Sequence, residues 1–324
     1  FKVIAFTHSA IHNDIYVKNG VSTQTIHSFL KLNFTNAYSK ASYSQCTDLD
    51  YILVDEISLV PPNMIVHFRN IKEKYKTKFI FVGDYQQLDP IDKYYTNDTI
   101  GNSAIIKYLT DYNKITLTTN KRSGEEGEYM FDLFNNILYG DNKMIEKHKL
   151  TEHWRNIKPY PMYHICYTNK KRQEINNQVI QDIIQFKKPK QFIISNPNAV
   201  LFPLICFEHI LIRCKNNSND YYNNQTFQVM NVREEADKTQ VITLFDLCTK
   251  KEIDIGVAEY HKDFEYGYAG TCHKYQGATI SARFNYVIHE WDLYEWHNSN
   301  NNNNSNKSRR WLYVACSRAS NSND

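Results

Sequence analysis

The 324 residues are 42% hydrophobic and 23% charged, enough to bury a real core in one large domain or two. The net charge of +3, from 38 Lys and Arg against 35 Asp and Glu, permits a nucleic-acid partner without arguing for one, so any basic groove has to be local. The seven cysteines contain no C-x-x-C pair, no apolar run reaches the roughly 18 residues of a membrane helix, and no basic-then-apolar leader is seen; a zinc cluster, a disulfide framework and a membrane span are not indicated, and reduced thiols in an intracellular, cytoplasmic or nuclear protein are expected.

The chain opens FKVIAFTHSA, without a methionine and already in an apolar run, so residue 1 is not expected to be the start of the natural domain. Lys2 to Phe6 predicts a short buried strand, and Thr25 to Leu32, with Ile26, Phe29 and Leu30, predicts a short helix or turn. Tyr51 to Val54 predicts the next strand. Pro61 and Pro62 stand at a helix start, and Met64, Ile65, Phe68, Ile71 and Tyr75 mark one helical face before a strand at Phe79 to Val82. Strand, helix, strand with continuously apolar strands argues for a parallel sheet covered on both faces. The right-handed crossover then puts Asp55 and Asp84 at the sheet edge where ligands of open α/β sheets bind.

Lys114 to Leu117 predicts a further strand, Tyr129 to Leu138 a helix, and His164 to Asn169 a strand leading into the helical run KKRQEINNQVIQDII. From about Gln191 to Tyr260 the short runs LICFEHILIRC, TFQVMNV and QVITLFDL, separated by polar turns, predict a small all-β insertion. NSNNNNNSN, Asn298 to Asn306, is too polar to order itself and predicts a disordered loop over 298–308; RRWLYVACSRA after it reads as one more apolar strand. The expected division is a first α/β domain over 1–119 and a second over 120–324, the latter carrying the β-rich insertion at about 191–260.

Two strands end in acids: ILVDEIS runs into Asp55 and Glu56, and FIFVGDYQQLDP runs into Gly83 and Asp84. A strand-end Asp-Glu suits hydrolysis of a γ-phosphate, the Asp holding Mg2+, usually through water, and the Glu polarising the attacking water. A surface turn with two solvated acids is the competing reading of any such pair.

Taken in order, AFTHSA, TIHSFL, VDEIS, GDYQQLDP, TTNKRS, TCHKYQGATI and LYVACSRA resemble the superfamily 1 helicases, and within them subfamily B, the RecD and PIF-type group, over almost the whole chain. The resemblance implies an α/β fold of two RecA-like parallel-sheet domains, the first incomplete. It implies ATP and Mg2+ as cofactors and 5′-to-3′ movement on single-stranded DNA, RNA being the alternative. Carried over residue by residue, it implies Asp55 on Mg2+, Glu56 as general base, Gln87 as γ-phosphate sensor, and Arg122 and Arg318 as arginine fingers reaching from the second domain. Gln276 and Gly277 would sit beside the nucleotide. Thr7, His8, Thr25, His27, Asn169, Thr271 and His273 would line the single-stranded track. Ordinary surface or core histidines compete for His8, His27 and His273, a polar loop for Arg122, and an exposed helix-start arginine for Arg318.

The chain departs from the family at Ala10-Ile11, where two small residues are common, at Asp89 before Pro90, where two prolines are usual, and at Tyr275, which replaces a small residue in HKSQG. Ordinary packing and a face for base stacking are the two readings of Tyr275. No Gly-Lys followed by Ser or Thr occurs in the 324 residues, so the loop that cradles the phosphates is expected upstream of Phe1, and this polypeptide alone is expected to hydrolyse ATP poorly. A non-hydrolysing single-strand-binding module, or a subunit of a recombination or exonuclease complex, stands as the alternative.

Overall fold

The computed structural model describes residues 2–6, 16, 19–32, 41–89, 100–119, 127–139, 163–192, 204–218, 220–247, 249–276, 280, 286–289 and 302–318. The chain forms two compact units: Phe1–Lys149 with Gln276–Ala282 and Asp292–Asp324, and Leu150–Tyr275 with Arg283–Trp291. This division differs from the expected one at 119/120, because helix α8 (Asn302–Cys316), at the far end of the sequence, packs on α4 (Gly127–Tyr139) in the first unit.

In the first unit, β1 (Val3–Phe6), β2 (Ser22–Gln24), β3 (Tyr51–Val54) and β4 (Lys78–Phe81) form an all-parallel sheet in the order β2-β1-β3-β4. Phe6 lies opposite Gln24 and Val54, and Val54 opposite Phe81, so all four strands end at one level. Helix α2 (Pro62–Tyr75) begins at a proline, whose fixed φ suits a first turn, and buries Met64, Ile65, Phe68 and Ile71 on one face. It stops at left-handed Lys76. Phe68 joins β1 to β4 through ring contacts at 6.1 Å to Phe6 and 5.4 Å to Phe79. The short helices α1 (Ile26–Leu30) and α3 (Ala104–Leu109) add Phe29, Leu30, Ile106 and Leu109 to this core.

In the second unit, β5 (Tyr163–Cys166) leads into the 19-residue α5 (Asn169–Lys187), whose N-cap Thr168 accepts a hydrogen bond from the Lys171 N–H. After β6 (Gln191–Phe192) and β7 (Cys206–Phe207), five strands form an antiparallel sheet in the order β11-β10-β9-β8-β12. They are β8 (Leu211–Cys214), β9 (Thr226–Glu234), β10 (Gln240–Asp246), β11 (Glu252–Gly256) and β12 (Phe264–Tyr266). The edge strand β12 comes after α6 (Val257–Asp263), so the β-rich part runs past Tyr260. A parallel sheet of β13 (Ala269–Thr271), β5 and β14 (Tyr286–Ile288) completes the unit, with α7 (Cys272–Tyr275) following β13.

Three expectations are corrected. Residues 113–119 are irregular, with Ile115 and Leu117 89% and 88% exposed, because no described strand lies alongside 114–117 to pair with it. The run RRWLYVAC is helical, not a strand: Trp311, Leu312, Val314 and Ala315 are buried at helical spacing, a pattern a short apolar run does not distinguish from a strand. Residues 302–308 of the Asn-rich stretch are likewise the first turns of α8, since a helix nucleated by its packed half propagates cheaply into a polar one.

Candidate functional site

The carboxyl edge of the first sheet gathers Thr25 after β2, Asp55 and Glu56 after β3, and Gly83 and Asp84 after β4. The Asp55 N–H donates to Phe6 O (2.9 Å) and the Ile57 N–H to Val82 O (3.0 Å), so the ladder carries on past the strands and aims both acids off the edge. Glu56 is left-handed (φ 49, ψ 49), a conformation that costs a non-glycine residue about 1–2 kcal/mol. Its N–H donates to Asp55 Oδ1 (2.9 Å), which holds the turn. Such strain in a residue other than glycine is concentrated at functional sites. Gly83 has to be small, since a Cβ there would meet the Ile57 backbone N at 2.9 Å.

Burial, with the repulsion of Asp55 behind it, pushes the Glu56 carboxyl above its usual range; Arg318 and a hydrogen bond from Gln276 pull the other way, and Asp84 adds a smaller push. Glu56 Oε2 and Gln276 Oε1 are buried acceptors without a hydrogen-bond partner, which fits a water or ligand donor delivered to them. Arg318 is 1% exposed, its Nε donating to Val314 O (2.9 Å) and its Nη2 to Ser317 Oγ (2.8 Å) just beyond the end of α8. Gln276 Nε2 donates to Ser58 Oγ (3.4 Å). The expected participants Asp55, Glu56, Gln276 and Arg318 thus come together inside one compact unit. Half-buried Gln87 sits in the loop after β4, its N–H donating to Asp84 O (3.1 Å).

Sequence reasoning missed three neighbours. The Tyr16 hydroxyl is hydrogen-bonded to Asp55, and burial plus that carboxylate push it up to about 12, so it stays a proton donor. The Tyr313 hydroxyl donates to Asp84 Oδ2 (2.7 Å), and Arg310 Nη1 donates to Asp89 Oδ1 (2.7 Å). Tyr313 lies in a quoted motif and Asp89 was noted as a departure, so their identities were visible, but their partners are more than 200 positions away.

In the second unit the carboxyl edge of β13-β5-β14 collects Asn169, Thr271 and His273: Thr271 lies opposite Cys166 and Asn169 follows three residues later. Asn169 is exposed, Thr271 and His273 half-buried, and burial lowers the His273 pKa so that its ring stays neutral. In the first unit His27 is exposed, while the Thr25 hydroxyl is engaged as the N-cap of α1, accepting from the Ser28 N–H (3.3 Å). Thr7, His8, Arg122 and Gly277 lie outside the described residues. Tyr275 packs and offers no stacking face: it is 6% exposed, its ring lies 5.2 Å from the Arg213 guanidinium, and its hydroxyl accepts from Arg213 Nη2 (3.0 Å).

Among the described residues no three His, Cys, Asp or Glu side chains gather into a metal cage. A lone carboxylate such as Asp55 fits Mg2+, which is ordinarily held by one or two carboxylates with water and substrate phosphates. The site sets a carboxylate pair against an arginine and a glutamine on the edge of a parallel α/β sheet.

Residues 1–93 match the AAA domain family. The chain is 35% identical over 109 residues to the RecBCD enzyme subunit RecD of Buchnera aphidicola subsp. Acyrthosiphon pisum (strain APS), a match taking in 31% of this chain and 18% of that protein. Among solved structures, Pif1 helicase from Bacteroides in complex with ADP-AlF3 and ssDNA superposes with a TM-score of 0.60 at 18% identity, covering 98% of this chain and 80% of that one. Pif1 helicase from Candida albicans gives 0.58 at 15% identity, covering 98% and 89%. The chain therefore shares the α/β fold of these two Pif1 structures. With the ordered motifs, the sequence matches make the chain similar to the RecD/Pif1-type superfamily 1 helicases.

Proposed function

We propose that the chain is the motor part of an ATP-dependent helicase that translocates 5′ to 3′ along single-stranded DNA. The observation that supports it most is Glu56: a half-buried, under-neutralised carboxylate whose buried Oε2 has no hydrogen-bond partner, next to Asp55 and within the field of Arg318. ATP with Mg2+ supplies the scissile phosphoanhydride and a cation that shares its charge. Glu56 takes the proton of the attacking water at Oε2, a task helped by a pKa raised above the usual carboxylate range. Asp55 would hold the cation, oriented by the Tyr16 hydroxyl and its own turn. The Arg318 guanidinium offsets charge that builds on the transferred phosphoryl group. Thr7, His8, Thr25, His27, Asn169, Thr271 and His273 contact the strand, the last three from one sheet edge of the second unit, and such phosphate tracks bind in a salt-dependent, sequence-tolerant way.

A phosphate-cradling loop has no counterpart in these 324 residues, which favours a second reading, a non-hydrolysing single-strand-binding module. The deciding test is DNA-stimulated ATP hydrolysis by this chain and by the same chain preceded by a strand, G-x-x-x-x-G-K-[ST] loop and helix. The helicase reading expects turnover only in the extended chain, lowered about 10²- to 10⁴-fold by Glu56→Gln with nucleotide binding retained. Salt-dependent single-strand binding with no turnover in either chain would instead establish the binding module.

A further inference from the structure

Asp89, which stands where the related helicases usually have proline, has a partner in this fold. Its Oδ1 accepts from Arg310 Nη1 at 2.7 Å, and the two side chains are 15% and 12% exposed. Five residues earlier Asp84 Oδ2 accepts from the Tyr313 hydroxyl at 2.7 Å. Arg310 and Tyr313 are three apart on α8 and so share one helix face. Asp84 and Asp89 bracket the loop that carries Gln87.

We propose that these two contacts form a clamp by which α8 fixes the 84–89 loop, so that Gln87 and Arg318 hold one registration, with Arg310 and Tyr313 as positioning residues. Arg318 is tied to the end of the same helix through Val314 O and Ser317 Oγ. Helix α4 backs the clamp: Phe134 meets the Tyr313 ring edge-on at 5.7 Å, Arg309 Nη1 donates to Ile137 O at 3.2 Å, and Gln86 is hydrogen-bonded to Tyr139. A loop tied at both ends to one helix has little freedom left. Prolines would stiffen such a loop by fixing φ; here an ion pair largely withdrawn from solvent does so.

The functional consequence rests on the hydrolysis reading, while the clamp itself does not, so the experiment has two arms. The first is a thermal-unfolding cycle on the 324-residue chain with Asp89→Ala, Arg310→Ala, both together, and the exchange Asp89→Arg with Arg310→Asp. The clamp expects the double variant to lose no more Tm than the worse single one, and the exchange to regain part of the loss. Additive losses with no recovery would overturn it. The second arm is ATP hydrolysis by the extended chain, with its added strand, phosphate loop and helix, carrying Tyr313→Phe, which keeps the ring against Phe134 and removes only the hydroxyl. A kcat lower by about tenfold with KM unchanged supports the positioning role; an unchanged kcat overturns it and leaves a merely structural pair. Absence of turnover in the unsubstituted extended chain sinks the hydrolysis reading and the positioning role with it, while a coupled first arm still establishes the ion pair.

Discussion

Glu56 and Glu265 are both carboxylates drawn out of water, one in each compact unit, and the fold handles them in opposite ways. Burial pushes Glu265 up as it does Glu56, but Lys274 and Arg172, both bonded to its carboxyl group, outweigh the push and hold it below the usual range. Around it Arg213 spans Ala269 O (3.0 Å) and Gly267 O (3.1 Å) as well as Tyr275, and Gly270 is small because a Cβ there would meet Arg213 Nη1 at 2.6 Å. Glu56 has Arg318 and Gln276 against it, and burial, with Asp55 and Asp84 behind it, outweighs them. The cluster with its cations in surplus fastens the β-rich sheet to the parallel one. The cluster with its anions in surplus is left for something else to neutralise, which is how functional sites depart from structural ones.

The largest expected effect is at Glu265. Glu265→Gln leaves Arg172 and Lys274 buried without their carboxylate and is expected to cost about 3–5 kcal/mol, read from the urea midpoint at constant m. A cost below about 1 kcal/mol would mean that the cluster behaves as a surface pair and that the contrast with Glu56 is false.

A smaller effect comes from the buried pair His164 and His289, whose Nδ1 and Nε2 lie 2.9 Å apart. One neutral ring donates and the other accepts, and burial, with Lys171 nearby, pushes His289 down to about 4 from 6.5. The unfolded chain therefore takes up this proton first. Stability is full above pH 6.5 and falls as the pH drops from there towards 4, by on the order of 2 kcal/mol down to pH 4.5 at ~1.4 kcal/mol per unit. Urea unfolding at pH 7, 6 and 5 should show that slope, and His289→Gln should flatten it.

Much of this was legible in the sequence because the signals were local. The strand at Tyr51 to Val54, the helix from Pro62 and the acids at 55, 56 and 84 declare themselves within a dozen residues, and Gly83 marks a close backbone approach. What failed was either ambiguous in period or decided at long range. The apolar run Trp311 to Ala315 fits a strand or a helix until its packing on α4 is known. Tyr275 stays open between ordinary packing and a stacking face until Arg213, 62 positions away, is found on it and decides for packing. The Asp89 departure reads as noise until Arg310, 221 positions away, answers it.

The smallest expected effect has the opposite sign to that at Glu265. Because the folded-state pKa of Glu56 is raised from 4.5, its ionisation opposes folding: its contribution is fully present below pH 4.5 and is lost as the pH rises through the folded value. Glu56→Gln keeps the shape and the bond to Gln276 but does not titrate. It is expected to stabilise the chain at pH 7–8 by about 0.5–2 kcal/mol, the usual gain on relieving a site kept for function, and to be neutral at pH 4. Thermal unfolding across that range gives the answer: a Tm difference that grows with pH identifies a carboxylate held against its own stability, whereas a variant less stable at every pH would show that Arg318 already neutralises Glu56 as Arg172 and Lys274 neutralise Glu265.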